Sequence, residues 1–196
     1  HSYQYHRGCI DDFNERDIRI YKIDEQGRIY HALTSLPRSL REYFNIKYEL
    51  DISNSHPLLL NHYLLKYYHI PFKLIREANA QYHYDVECTC KLLKDNGIEV
   101  PKDIVEYIIN TQRGTFYDDF VSVFGDMERG EVKKRVFAQV FYSHITDSYV
   151  SKFCKAGIRK YPNVWKVIRA MKVSTDDKLP HTMMKAESLL FRLILK

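Results

Sequence analysis

Tyr48-Glu49-Leu50-Asp51-Ile52-Ser53-Asn54-Ser55-His56-Pro57-Leu58-Leu59-Leu60 reads as a short strand ending at a carboxylate, then a tight polar turn, then a helix. Ile46, Tyr48 and Leu50 alternate with polar residues, which is the period of a strand. Ser53 to Ser55 form a turn or cap cluster. Pro57 suits the first turn of a helix, where a missing N–H removes no bond. Leu58 to Tyr68 is rich in Leu and Tyr and long enough for a largely buried helix. An Asp at the carboxyl end of a strand, facing a turn, is well placed to hold a metal. Asp51 therefore has two readings, as a metal ligand or as a cap for the following helix.

Outward from that stretch, the chain is expected to be strand-bearing before it and helical after it. Residues 1–17 are polar and aromatic with no clear period. Ile18 to Ile23 alternates and Ile29 to Ala32 is extended, with Asp24-Glu25-Gln26-Gly27 between them as a hairpin turn. Ser35 to Arg41 starts a short helix with Pro37 in its first turn. Pro71 starts a helical segment after the 57–69 helix. Another runs from His83 to Lys94, stopped by Asn96-Gly97, and Pro101 opens one through Asn110. Further helices are expected over Thr115 to Phe124, Arg129 to His144, Ser148 to Lys160, Val164 to Lys172 and from about His181 to the end. The fold class expected is α+β: a small antiparallel sheet followed by a predominantly helical region.

At 196 residues the chain holds one domain, with room for a subdomain, and 45% hydrophobic residues support a core. The net charge of +5 is compatible with a nucleic-acid partner without being diagnostic of one. Cys9, Cys88, Cys90 and Cys154 lack the spacing of a zinc site and read as reduced thiols of a cytoplasmic protein. No apolar run reaches membrane-spanning length and no signal-peptide pattern is visible, so no membrane partner is expected. His1 as the first residue implies numbering that begins inside a longer parent chain.

Two groups of residues carry candidate chemistry. Arg129, Lys133, Phe137 and Phe141 are each four apart, so in a helix they stack along one face. Two cations followed by two rings could hold a triphosphate and stack under a base. The alternative is an amphipathic helix with solvated cations and Phe137 and Phe141 in the core. Arg28 follows the Gly27 turn, with Arg38 and Arg41 just after. These arginines read either as contacts to a nucleic-acid backbone or groove, or as ordinary surface residues.

Together these stretches resemble a known superfamily. The order Gln26-Gly27-Arg28-Ile29, Leu36-Pro37 with Arg41, then Asp51-Ile52-Ser53-Asn54-Ser55 is similar to three successive motifs of family A DNA polymerases, the last being motif A. The Asp51-x-Ser53-x-Ser55 spacing looks equally like motif A of single-subunit phage RNA polymerases. Arg129-x3-Lys133-x3-Phe137-x3-Phe141-Tyr142 resembles motif B, the fingers helix of both families. The resemblance spans about residues 26–192 and rests on about two dozen positions.

What it implies is carried over position by position. Asp51 matches the motif A carboxylate that binds both catalytic Mg2+ ions, and the Ile52 carbonyl matches a backbone ligand of the nucleotide-bound ion. Arg129 and Lys133 match the cations on the incoming triphosphate, with Lys133 the catalytic one. Phe137, Phe141 and Tyr142 match the nucleotide-binding end of the motif. Phe141 stands where the gating ring is usually Tyr, and the following Tyr142-Ser143 leaves open a slip of that ring to Tyr142. Arg28, with Arg38 and Arg41, matches the nucleic-acid side of the cleft. The activity implied is template-directed nucleotidyl transfer on a primed DNA or RNA template with nucleoside triphosphates. A DNA polymerase from a phage or mobile element is favoured over an RNA polymerase. The competing expectations are a non-catalytic nucleic-acid-binding relative and a helical scaffold with chance matches. The domain division implied is palm over residues 1–60, fingers over 61–160 and a return to the palm over 161–196.

Besides Phe141-Tyr142-Ser143 in place of Tyr-Gly, the sequence departs from the family at three further places. His56 stands where family A DNA polymerases carry a sugar-sensing Glu. Met183 to Ser188 resembles the helix before motif C without its usual Gln. The His-Asp hairpin of motif C does not occur before Lys196, so the expectation is a palm-and-fingers fragment of a longer protein, or a diverged inactive relative. Tyr117-Asp118-Asp119 resembles the Tyr-x-Asp-Asp turn of reverse transcriptases. It precedes motif B, however, and Phe116, Phe120 and Phe124 stand at helical spacing around it. Asp118 and Asp119 are therefore read as polar-face helix residues. The alternative pairs one of them with Asp51 as metal ligands.

Overall fold

The structure, a computed structural model, describes residues 2–15, 20–44, 54–122, 124, 125, 127–143, 150–174 and 179–194. It divides into two compact units, one of His1–Ile52 with Met184–Lys196, the other of Ser53–Met183. The boundaries drawn from the sequence at residues 60 and 160 do not coincide with this division. The fold is mostly helical with one small antiparallel sheet, an α+β arrangement.

In the first unit, helix α1 (Ser2–Asn14) forms where the sequence shows no clear period. Its apolar side is short: Cys9, Ile10 and Phe13 meet Ala32, Leu36, Leu40 and Phe44. The rings of Phe13 and Phe44 lie edge to face at 4.5 Å. Strands β1 (Ile20–Ile23) and β2 (Ile29–His31) pair antiparallel, with Lys22 opposite Tyr30, Ile23 opposite Ile29, and an irregularity between Ile20 and Lys22. The turn is the one expected. Asp24 Oδ1 accepts from the amides of Gln26 (3.0 Å) and Arg28 (2.8 Å), and Gly27 takes the left-handed backbone at φ 81°. Instead of one short helix over 35–41 there are two single turns, α2 (Ala32–Ser35) and α3 (Arg38–Arg41). Pro37 separates them, because the residue before a proline is pushed out of the helical region. The expected strand over 46–52 lies outside the described residues.

The second unit is a helical body built around α7 (Lys102–Arg113). α7 buries Ile104, Val105, Tyr107, Ile108, Ile109 and Thr111 against α4 (Ser55–Tyr67), α6 (Val86–Asp95) and α11 (Pro162–Ser174). α5 (Phe72–Tyr82) packs on α6. Punctuation matches expectation here: Pro71, Pro101 and Pro162 stand at or just before helix starts, and Asn96-Gly97 at a helix end, while α7 runs past Asn110 to a C-cap at Gly114. Asp85 and Ser151 cap α6 and α10 (Lys152–Lys160) by accepting from Cys88 N and Cys154 N.

Buried polar groups fasten α4 to α7. Asn61 Nδ2 donates to Thr111 Oγ1 (2.8 Å), and the Tyr107 hydroxyl donates to the Pro57 carbonyl (3.0 Å). Each satisfies a group that burial would otherwise make costly. These bonds set the start of α4.

Two expected helices differ. The segment 115–124 is a turn followed by α8 (Asp118–Val121). Asn110 is the reason, since its carbonyl accepts from both Thr115 N (2.9 Å) and Phe116 N (3.1 Å) as the chain leaves α7. The long helix over 129–144 is α-helical only as α9 (Arg129–Val136), then continues as a π-turn over Phe137–Phe141. The chain ends in α12 (Leu179–Ile194). Among the described residues no helix is long and apolar enough to cross a membrane.

Candidate functional site

Within the second unit, α9 and its π-turn bring Phe137 and Tyr142 against the start of α4, with Arg129 at one end of the same segment. Arg129 sits in the first turn of α9 and is fixed at three points. Its Nε donates to Asp118 Oδ1 (3.0 Å), its Nη2 donates to the Gly114 carbonyl (2.7 Å), and its guanidinium lies 5.6 Å from the centre of the Tyr117 ring. The ion pair to Asp118 is half-exposed on both sides, so it is worth at most about 1 kcal/mol. Lys133, one turn on, is exposed and makes no ion pair among the described residues.

The π-turn changes the lower half of the expected stripe. Tyr142 N donates to the Phe137 carbonyl at 2.8 Å, a bond over five residues instead of four. The side chain five positions on therefore takes the face that the fourth would hold in an α-helix. Phe141 turns into the core, 1% exposed, where with Tyr107, Val140 and Trp165 it lines a small apolar cavity. Tyr142, 36% exposed, takes its place beside Phe137, with ring centres 5.7 Å apart and nearly perpendicular. Phe137 is half-buried and 5.2 Å from the ring of His56. His56 is itself buried and hydrogen-bonded through Nδ1 to the Tyr142 hydroxyl at 3.2 Å. Both rings lie against Phe137, Phe141 at 6.0 Å from the buried side, so Tyr142 is the exposed one of the two. Tyr142→Phe is expected to keep the fold and lose the bond to His56, a cost of about 1 kcal/mol, measurable by urea unfolding.

The turn holds because its freed carbonyls find partners. Lys172 of α11, buried at 3% exposure, donates Nζ to the carbonyls of Val140 (2.7 Å) and Ser143 (2.6 Å) and to Ser143 Oγ (3.2 Å). The Ser143 hydroxyl (2.9 Å) and the Cys154 thiol (2.5 Å) both donate to the Gln139 carbonyl. Sequence reading left Lys172 at the end of an ordinary helix. The available signal was its place on the Val164–Ile168–Lys172 stripe, the buried face of α11.

Gly114 joins the two halves of the site. It ends α7 at φ 76°, its carbonyl holds Arg129, and a Cβ placed on it would lie 3.8 Å from Asn54 Nδ2. Asn54 occupies the N-cap position of α4 in the left-handed region (φ 57°), and its carbonyl accepts from Leu58 N at 2.8 Å. Among the described residues its side chain makes no cap bond, and neither its buried Nδ2 nor the buried Tyr117 hydroxyl finds a hydrogen-bond partner. Burial pushes the Tyr117 phenol well above its ordinary range against the pull of Arg129, so it stays a neutral donor. Asp51 and Ile52, the proposed metal ligands, lie outside the described residues.

Asp118 and Asp119 do not stand between strands. Asp118 is taken up by Arg129. Asp119 Oδ2 accepts from Asn110 Nδ2 (3.0 Å) and from the Tyr161 hydroxyl, which also accepts from Asn110 Nδ2 at 3.0 Å. Burial, then the bond to Asp119, raises the Tyr161 phenol far above its usual range. Asp118 therefore ties α8 to α9, and Asp119 ties α8 to α7 and the α10–α11 junction. Among the described residues no three His, Cys, Asp or Glu converge as a metal site.

In the first unit, Arg28 Nη2 donates to Glu187 Oε2 (3.2 Å), and Arg192 Nη2 donates to the Gly27 carbonyl (3.1 Å). The hairpin turn is thereby tied to the second half of α12. Arg38 is exposed, while Arg41 is half-buried with Nε lacking a hydrogen-bond partner. No protein family, no curated protein and no solved structure matches the chain.

Proposed function

We propose that the chain is the palm-and-fingers region of a template-directed nucleotidyltransferase similar to family A DNA polymerases. One observation carries this reading: Asn54 and His56, which follow Asp51 in the sequence, meet Arg129, Phe137 and Tyr142, the residues that resemble motif B, around Gly114. Two stretches separated by more than seventy residues of sequence, each resembling a polymerase motif, converge at their matching ends.

In this reading Lys133 is the cation ready to meet a triphosphate. Arg129 joins it by exchanging a half-exposed carboxylate for a phosphate, at little cost. Phe137 and Tyr142 offer the rings against base and sugar, and His56 fixes the Tyr142 phenol. Asp51 and the Ile52 carbonyl would hold Mg2+, which takes hard oxygen ligands and supplies charge stabilisation to phosphoryl transfer when bound. Arg28, Arg38 and Arg41 would meet primed template.

A second reading, a non-catalytic nucleic-acid-binding relative, is favoured by the commitment of Arg129 to Asp118 and Gly114. Primer extension with Mg2+, on this chain and on a version continued past Lys196, separates the two. Binding without extension in both supports the second, and no salt-dependent binding to primed template removes both. Lys133→Ala is expected to weaken nucleotide use by about 1.5–3 kcal/mol, the worth of a charge-assisted hydrogen bond, or roughly ten- to a hundredfold. An unchanged nucleotide dependence would count against the motif B match.

A further inference from the structure

The positive charge of this protein is concentrated in one helical hairpin. Residues 148–175 contain seven Lys and Arg and no Asp or Glu, against a net +5 for the whole chain, so the remainder of the molecule is net negative. Lys172 is buried, and Lys160 is engaged by Glu106 (2.5 Å) with Asp119 at 3.9 Å. The other five, Lys152, Lys155, Arg159, Lys166 and Arg169, are exposed on α10 and α11, which pack on each other.

Their pattern on α10 is regular. Phe153, Cys154, Ala156 and Gly157 are buried, while Lys152, Lys155 and Arg159 fall on the opposite side at spacings of three and four. These three make no ion pair among the described residues. The row is about 10 Å long at the helical rise, the axial length of about three phosphates on one strand of duplex DNA. Among the described residues of α10 and α11 the exposed side offers no aromatic ring: Phe153 and Tyr161 are buried and Trp165 is half-buried. These two helices therefore present no platform for stacking on unpaired bases. Val173 is the one large apolar side chain exposed along α10 and α11 among the described residues, too little to seat a helix in a lipid surface.

We propose that the exposed side of α10 and α11, led by Lys152, Lys155 and Arg159, is a docking surface for the phosphate backbone of duplex nucleic acid, read without regard to sequence. It is distinct from the Arg129–Lys133 site and needs no polymerase activity. A cationic row of this length neutralises neighbouring phosphates and releases their counterions, so its signature is salt dependence.

The test uses the full chain and a short fluorescein-labelled DNA duplex of arbitrary sequence, titrated across a series of salt concentrations. Lys152→Ala/Lys155→Ala/Arg159→Ala is expected to lower affinity at low salt by at least about tenfold and to reduce the slope of log affinity against log salt by about two to three. A control with the same change in charge, Arg76→Ala/Lys91→Ala/Lys94→Ala on α5 and α6, is expected to change neither by more than a small fraction of that. Equal losses from the two variants, duplex binding retained by the first, or no duplex binding by the unaltered chain would each overturn the proposal. So would a first variant that loses phosphatidylserine vesicles or polyglutamate but not duplex. Nucleoside triphosphate affinity, measured alongside, should be unchanged in the first variant and reduced in Lys133→Ala. Failure of the nucleotide site is thus visible separately from failure of this surface.

Discussion

Lys172→Met should cost about 2–4 kcal/mol, from two main-chain oxygens stranded at about 1–3 kcal/mol each less what the thioether recovers by packing. The ammonium is 3% exposed and reaches the carbonyls of Val140 and Ser143 from α11. Those carbonyls lie on either side of Phe141 and Tyr142, so the cation ties down both ends of the segment that the π-turn rotates. Without it, an ordinary α-helical turn becomes the better use of the backbone. That turn would swing Tyr142 off His56 and turn Phe141 out of the core. The variant should therefore show two effects: a lower urea midpoint and loss of the His56–Tyr142 bond, seen in the ring resonances of His56. Lys166→Met, on the exposed side of the same helix, should stay within about 0.5 kcal/mol of the unaltered protein. A Lys172→Met protein with full stability and an intact His56–Tyr142 pair would mean that the π-turn is held by the Ser143 and Cys154 bonds alone.

Legibility followed the range of the interactions. The Asp24–Gly27 turn and the helices between Pro57 and Asn110 were readable because their limits are set by local chemistry: prolines at starts, Asn96-Gly97 at an end, an Asp side chain closing a turn. The spacing of Phe116 and Phe120 pointed to a helix around them, but spacing could not show that Asn110 would hold Thr115 and Phe116 in a turn and leave only Asp118–Val121 helical. α1 was illegible because few of its residues are apolar and its partners, Ala32 and Leu36, come much later in the chain. The π-turn was illegible for a sharper reason. Phe-Ala-Gln-Val-Phe is an acceptable α-helical sequence, and what widens it is a lysine some thirty residues downstream. Four-residue counting put Phe141 on the stripe and left open its burial in the core and a slip of the outward ring to Tyr142; the backbone buries Phe141 and presents Tyr142. The same counting placed Arg129 and Lys133 correctly on α9, upstream of the wide turn.

Asp51→Asn is expected to abolish Mg2+-dependent nucleotidyl transfer while leaving the fold intact. A metal clamp on phosphoryl transfer supplies several kcal/mol of charge stabilisation, and about 4 kcal/mol is a factor of roughly a thousand in rate. The choice of Asn separates the two readings of this residue. Asn caps a helix about as well as Asp does, so a capping role survives the substitution, whereas an amide is a far weaker ligand for a hard cation. The cap reading is already weakened by position: α4 begins at Ser55 and its N-cap is Asn54, three residues after Asp51. The assay is primer extension by the chain continued past Lys196, with thermal unfolding measured in parallel. Normal extension by the variant would refute the metal assignment, whatever the fate of the Arg129–Lys133 site. A variant that unfolds with the loss of activity would make Asp51 a structural residue and return the polymerase reading to the convergence of Asn54, His56 and Arg129 around Gly114.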